Sequence, residues 1–198
     1  MKYLTLKLAA LALTASAATL AHAAPINLVS NPGFEDTPPA LTGWGGTDNG
    51  VARNTQNPAK RAANPDSTAA AKFDNTPARL QTIEQTIATT VGNTYVVSFW
   101  LKLIDSDASN EFKFDFGSFA AQGLLTNATA FDWRQVTQEF TADSSSMLLK
   151  FYGRVVSDAY YLDDVSVTAK SVPVPASLPL LGLGLIGVFM GSRARRAA

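Results

Sequence analysis

The sequence EFKFDF, at residues 111–116 of this 198-residue chain, decides the fold class. It alternates strictly, so that Phe112, Phe114 and Phe116 share one face and charged residues share the other. A period of two is typical of a β-strand with one buried face. Residues 94–103, TYVVSFWLKL, alternate in the same way, and both segments therefore predict half-buried strands.

Five further segments predict strands, and turn-forming residues separate them. The strands are expected at residues 70–74, 80–89, 133–141, 147–153 and 160–168. The turns are expected at residues 92–93, 105–110, 127–130 and 143–146. Residues 54–68 are rich in Asn, Pro and Ala without periodicity, so we expect a long surface loop there. Because no amphipathic helix interrupts the strands, the pattern indicates an all-β antiparallel sandwich.

The composition excludes several kinds of active site. The chain has no Cys, and its single His, His22, lies in the N-terminal targeting segment. A mature protein without His or Cys has no Ser/His/Asp triad, no His- or Cys-ligated zinc and no disulfide. The acidic pairs Glu35/Asp36 and Asp163/Asp164 are adjacent in sequence. Adjacent side chains of a strand point to opposite faces, unlike the paired acids of a glycosidase. We therefore expect a protein that is not an enzyme.

Residues 1–23 have the order of features of a secretory signal peptide. A basic start precedes an apolar run at residues 8–20, and Ala21 and Ala23 frame an A-x-A cleavage site. The body that follows, residues 24–171, holds 11 basic and 16 acidic residues and so carries a net charge of −5. It is long enough for one domain with its own core. An acidic body without a basic stripe argues against nucleic acid as a partner.

Four segments of the body share a pattern with a known family. They are NLVSNPGFED at 27–36, GNTYVVSFWLK at 92–102, WRQVTQEFTA at 133–142 and YYLDDVSV at 160–167. With Trp44, these segments resemble carbohydrate-binding modules of the galactose-binding-like jelly-roll type. The resemblance implies a two-sheet antiparallel jelly roll over residues 24–171. It also implies a structural Ca²⁺ that holds the first strand against the last.

The last strand offers independent support for that ion. If residues 160–168 form one regular strand, Asp163 shares a face with Val165 and Val167 and points inward. A buried carboxylate needs a partner, and a cation with oxygen ligands is one solution. By analogy with the family, Glu35 is a second ligand, and Asp164 is a further candidate. An alternative stays open, in which Asp163 or Asp164 accepts backbone N–H bonds at a β-bulge.

A saccharide site would use exposed aromatic rings, which stack on sugar rings while polar neighbours bond the hydroxyl groups. Trp100 is the best candidate, because it lies on the face opposite Phe99 and Leu101. Tyr152 and Tyr160 are weaker candidates. Coverage of both strand faces by loops would instead make these rings structural, and Trp44 and Trp133 lie where family members keep core tryptophans.

The C-terminal segment, residues 172–198, orders a Pro-rich entry, a Gly/Leu apolar run and an Arg-rich end. It resembles the PEP-CTERM sorting tail, which in Gram-negative bacteria is processed by the membrane enzyme exosortase. Val174 stands where the commonest form has Glu. The candidate processing residues are Val172, Pro173, Val174, Pro175 and Ala176, followed by Arg193, Arg195 and Arg196.

The apolar run of the tail is marginal as a membrane anchor. Residues 176–192 would form a single hydrophobic helix about 25 Å long, against a hydrocarbon core of about 30 Å. We expect the tail to enter the inner membrane at least transiently, with its arginines on the cytoplasmic side. A permanent single-span anchor is the alternative to processing.

The sequence thus predicts an exported, non-enzymatic protein of the cell surface or extracellular matrix. It predicts exosortase as a partner and association of the jelly-roll body with extracellular polysaccharide. A structural or adhesive matrix protein with no saccharide site is the alternative.

Overall fold

A computed structural model of the chain describes residues 25–36, 41–46, 51–56, 67–74, 79–104, 106, 109–157 and 159–170. The predicted signal peptide and the predicted C-terminal tail lie outside these residues. Nine strands are described: β1 Val51–Asn54, β2 Ala70–Phe73, β3 Gln81–Ala88, β4 Thr94–Leu103, β5 Glu111–Phe116, β6 Phe119–Thr126, β7 Phe131–Thr141, β8 Ser146–Arg154 and β9 Tyr160–Ala169.

The strands form two antiparallel sheets that pack face to face as a jelly-roll sandwich. One sheet has five strands in the order β1-β2-β9-β4-β7, and the other has four in the order β3-β8-β5-β6. This confirms the predicted all-β fold. Within the described residues, no helix is long and apolar enough to cross a membrane.

The core between the sheets is built on phenylalanines from the alternating strands. Phe99 of β4 meets Phe151 of β8 with ring centroids 5.0 Å apart, and Phe114 of β5 at 5.2 Å. All three rings are almost completely buried. Removing one such side chain from water stabilises the fold by about 1.5–3 kcal/mol. The Phe side chains of EFKFDF therefore hold the two sheets together.

The structure matches the predicted strands closely and adds two. β4 and β5 have the predicted bounds, and five others differ by one or two residues at an end. β1 and β6 were not predicted. β1 has only four residues, and its last residue, Asn54, is the first residue of the predicted loop at 54–68, most of which lies outside the described residues. In β6 the backbone adopts positive φ at Ala121 (55°) and Gly123 (59°), which breaks the alternation that sequence reasoning relies on.

The expectation of a regular last strand is corrected by a β-bulge in β9. Ser98 of β4 pairs with Ser166, but Trp100, two residues later, pairs with Asp163, so β9 carries one extra residue here. Asp164 in the bulge has φ 46°. The extra residue reverses the alternation. Asp163 therefore shares the outer face with Trp100, whereas Val165 stays in the core.

Candidate functional site

The outer face of the five-stranded sheet gathers polar side chains around one tryptophan. Trp100 of β4 pairs with Gln135 of β7, and Ser98 pairs with Thr137 one row further along. Side chains that pair across antiparallel strands lie on the same face. Trp100 is partly buried, while Gln135 and Thr137 are exposed. We call this surface the Trp100 face, and its members are Ser98, Trp100, Lys102, Trp133, Gln135, Thr137 and Tyr161.

Trp133 extends this surface, and sequence reasoning missed it. It is partly buried against a small cluster of Ala70, Ala159 and Tyr161, separate from the main core. Tyr161 pairs with Lys102, which puts the cluster on the same outer face. The expected core position is therefore corrected. The available signal was the alternation of residues 133–140, which sets Trp133 with Gln135 and apart from Phe140.

Trp44, by contrast, lies against the main core as the family pattern implies. Its ring centroid is 5.4 Å from that of Phe34 and 6.1 Å from that of Phe151. Its indole N–H donates to the carbonyl of Asn31 at 3.0 Å. Trp44 thus ties the first described segment to the sandwich.

Two lysines of the outer surface form ion pairs. Lys102 Nζ lies 3.1 Å from Asp132 Oδ1, and Lys72 Nζ lies 3.0 Å from Asp74 Oδ1. Lys72 and Lys102 both pair with Tyr161 and so flank it on neighbouring strands. An open cavity of about 470 Å³ begins beside Lys102 and is lined by Lys102, Leu103, Ile104, Ala130, Phe131 and Asp132. The Trp100 face thus continues into a concave, mixed surface.

Tyr152 lies on the other sheet and is held by a charged network. Its hydroxyl donates to Asp115 Oδ2 at 2.6 Å, and the ammonium groups of Lys113 and Lys150 lie 5.2 and 5.3 Å from its ring centroid. Burial, followed by the hydrogen bond and charge of Asp115, raises the pKa of Tyr152. The structure does not bring Tyr152 together with Trp100.

Tyr160 is a core residue, which corrects the expectation of an exposed ring. It is completely buried, its hydroxyl donates to Asn110 Oδ1 at 2.8 Å, and its ring packs 5.3 Å from that of Phe112. Burial raises its pKa above the usual value. No face of the Tyr160 ring is open to a ligand. Of the three aromatic residues predicted for a saccharide site, only Trp100 therefore lies on the outer face of the five-stranded sheet.

The three predicted metal ligands converge around Gly33. A Cβ atom built on Gly33 would lie 3.4 Å from Asp164 Oδ1, 3.7 Å from Asp163 Oδ1 and 3.5 Å from the Cγ atom of Glu35. Asp163 is completely buried although it belongs to the outer side of its strand. The segment around Gly33 and the residues before β2 therefore cover this part of the sheet.

The carboxylates in this cluster already have hydrogen-bond donors. Asp163 accepts from Ser67 Oγ at 2.9 Å and from the Asp164 N–H at 2.7 Å. Glu35 accepts from the N–H of Thr68 at 2.8 Å and from the Thr68 hydroxyl. This is the arrangement that the β-bulge alternative describes. The oxygen ligands suit calcium chemically. However, no group of three or more acidic, His or Cys side chains in the described part of the chain is arranged to hold a metal.

The comparison with protein families decides what kind of domain this is. The model of a family described as a carbohydrate-binding domain matches residues 26–158. The chain belongs to this carbohydrate-binding domain family. The matched residues include every described strand except β9. Family members of this kind are binding modules, and the Trp100 face is thus a surface of a carbohydrate-binding domain.

Solved structures of carbohydrate-binding domains share the fold. One is the CBM22-1 xylan-binding domain of Xyn10C from Paenibacillus barcinonensis, which is 16% identical with a TM-score of 0.51. The match covers 77% of the present chain and 100% of that domain. TmCBM61, solved with β-1,4-galactotriose, is 14% identical, with a TM-score of 0.51, over 73% of this chain and 99% of its own. The C-terminal family 22 module of Clostridium thermocellum Xyn10B is 14% identical, with a TM-score of 0.51, over 72% and 94%. Identities this low establish the fold alone.

The C-terminal segment is matched separately. The model of the PEP-CTERM protein-sorting motif matches residues 171–196, which confirms the resemblance of the tail. The motif indicates export and a membrane-anchored precursor in a Gram-negative bacterium. No curated protein matches the chain. The carbohydrate-binding domain therefore ends next to a sorting motif.

Proposed function

We propose that this protein is a non-enzymatic surface or matrix protein that binds extracellular polysaccharide through the Trp100 face. The observation that carries the proposal is the position of Trp100 on an interior strand of the sheet, with Gln135 paired beside it and Ser98 and Thr137 in the next row. An aromatic ring with adjacent amide and hydroxyl groups is the combination that binds sugars. Membership of the carbohydrate-binding domain family supports the same use of the surface.

The chemistry of such a site follows from its two kinds of group. The apolar face of a pyranose ring loses water when it stacks on the Trp100 indole, whose large flat surface needs little ordering. Gln135, Ser98 and Thr137 donate to and accept from the sugar hydroxyl groups. Because these side chains lie on strands of a hydrogen-bonded sheet, they are held in place before the ligand arrives. Preorganisation of this kind limits the entropy lost on binding.

The sorting motif supports a route to the polysaccharide. In this proposal the precursor crosses the inner membrane, stays anchored through the tail and is then cleaved by an exosortase-type enzyme. Cleavage near Val172–Ala176 releases the body to the cell surface or the extracellular matrix. The acidic body then meets secreted polysaccharide outside the cell.

The test is a glycan array with the full-length chain, run with Trp100→Ala and Tyr152→Ala as a matched pair. Both variants remove one partly buried aromatic ring from the outer surface of a sheet, but Tyr152 lies on the other sheet. We expect Trp100→Ala to weaken binding about tenfold or more, as the loss of a central aromatic contact does. Tyr152→Ala should bind glycans with the same affinity as the wild type. A melting curve of each variant checks that it is folded.

Silence of the wild-type protein on every glycan, with a normal melting curve, would reject the proposal. That outcome would support a structural or adhesive matrix role without a saccharide site. Equal loss in both variants would place the binding surface elsewhere.

A further inference from the structure

We propose that the Trp100 face takes an uncharged polysaccharide, and that Asp132 disfavours acidic polysaccharides by occupying Lys102. This inference rests on the proposed function and names the class of its ligand. Lys102 is a member of the face, and its ammonium group is the one a sugar carboxylate would seek there. Its Nζ atom instead lies 3.1 Å from Asp132 Oδ1.

The position of Asp132 makes it an internal substitute for an anionic ligand. Its side chain is 85% exposed, whereas that of Lys102 is 25% exposed. The lysine therefore lies against the sheet while the carboxylate faces the solvent, where an approaching polymer would meet it first. A uronic acid polymer would have to displace a like charge to reach the ammonium group.

The ionisation of Asp132 supports this role. A hydrogen bond from the Trp133 backbone N–H, followed by the hydrogen bond and charge of Lys102, holds the pKa of Asp132 below its usual value. Asp132 is thus ionised across the neutral and mildly acidic range.

Two other lysines, Lys72 of β2 and Lys170 directly after β9, are also paired with acidic side chains. Lys72, which flanks Tyr161 opposite Lys102, is paired with Asp74 at 3.0 Å. Glu139 accepts from Lys170 at 2.8 and 2.7 Å with its two oxygens. The body as a whole carries a net charge of −5 over residues 24–171. A polyanion would meet lysines that are already paired, on a domain whose net negative charge repels it. A neutral glycan is not repelled.

The test compares neutral with acidic polymers on the full-length chain. Galactan and xylan are the neutral probes, polygalacturonate is the acidic probe, and methyl-esterified polygalacturonate is its uncharged counterpart. We expect binding to one or more neutral polymers that changes little as NaCl rises from about 0.05 to 0.5 M, since an uncharged polymer has no charge interaction for salt to screen. Polygalacturonate should bind more weakly than its methyl-esterified counterpart.

Asp132→Asn makes the test specific for this residue. It releases Lys102 and should raise affinity for polygalacturonate by up to about fivefold, the size of a surface ion pair. The added binding should disappear in high salt. Glu84→Gln is the matched control, because it changes the net charge equally and releases Lys150, paired at 3.0 Å, on the other sheet. It should leave polygalacturonate binding unchanged.

Three outcomes would overturn the inference. They are wild-type binding of polygalacturonate as tight as that of its methyl-esterified counterpart, no gain in Asp132→Asn, or an equal gain in Glu84→Gln. Each of these leaves the proposed saccharide function standing. Absence of binding to all polymers, neutral and acidic, would instead reject the proposed function itself.

Discussion

At the scale of single residues, one close fit in the sandwich is between a glycine and an aromatic ring. A Cβ atom on Gly153 of β8 would lie 2.7 Å from Cδ1 and Cγ of Phe73. Real Cβ atoms do not approach other atoms that closely, so the lack of a side chain at this position lets Phe73 reach the core. The requirement comes from a strand distant in sequence, and no local pattern around Gly153 announces it.

Gly153→Ala should therefore destabilise the domain. We expect a loss of about 1–3 kcal/mol, because the ring must leave its position or the strands must separate. For a domain of this size the melting temperature falls by about 2–4 °C per kcal/mol. Gly45→Ala is the control, since its Cβ would meet its nearest atom at 3.7 Å, an ordinary contact. Equal melting temperatures for the two variants would contradict the expected overpacking.

At the scale of elements, the β9 bulge links the last strand to the first segment of the domain. Val165 N–H donates to the carbonyl of Pro32 at 2.9 Å, and Arg53 Nε donates to the carbonyl of Phe34 at 2.7 Å. The segment that holds Gly33 and Glu35 is thereby hydrogen-bonded to β1 and β9, the first and last described strands of the chain. Asp163 and Glu35 share this region whether or not a cation joins them.

The predicted Ca²⁺ at this junction is testable by chelation. If the ion is bound by Glu35, Asp163 and Asp164, EDTA should lower the melting temperature and added CaCl₂ should restore it. A ligand that binds only the folded state stabilises it in proportion to the logarithm of its concentration. Differential scanning calorimetry over a calcium series measures this. An unchanged melt would leave Ser67, Thr68 and the backbone as the partners of these carboxylates.

Also at this scale, the strands that sequence predicted are those whose two faces differ. β4 and β5 alternate between buried and partly buried residues along their whole length, and this contrast is readable in the residues themselves. β6 carries backbone irregularities, and all its residues are at least partly exposed, so no alternation marks it. The same reason explains Asp163, whose face depends on one extra residue in β9 that only pairing with β4 reveals.

At the scale of the whole molecule, the first and last described segments meet at one end. Leu28 N–H donates to the carbonyl of Val167, and Lys170 N–H donates to that of Thr94. Trp100 is six residues further along β4, or about 20 Å at the rise of a strand. Lys170, the last described residue before the sorting motif at 171–196, thus lies at the end of the sandwich remote from Trp100.

Processing of the tail should be visible in the mass of the protein from its native host. We expect the intact mass to lack the residues that follow the Val172–Ala176 region, because the sorting motif is a substrate signal rather than part of the domain. Deletion of the exosortase gene should restore the full-length C-terminus. A full-length C-terminus in the unmodified host would instead favour a permanent single-span anchor.

By itself, the sequence determined the fold class, most strand positions, the absence of His and Cys chemistry in the body and the sorting tail. These properties are local, since they depend on alternation, composition or contiguous motifs. Tertiary structure alone decided the grouping of Trp133 with Trp100, the burial of Tyr160, the ion pair that occupies Lys102 and the outward side of Asp163. Each of these depends on the register between strands far apart in the chain, and a shift of one residue moves a side chain to the other face of the sheet.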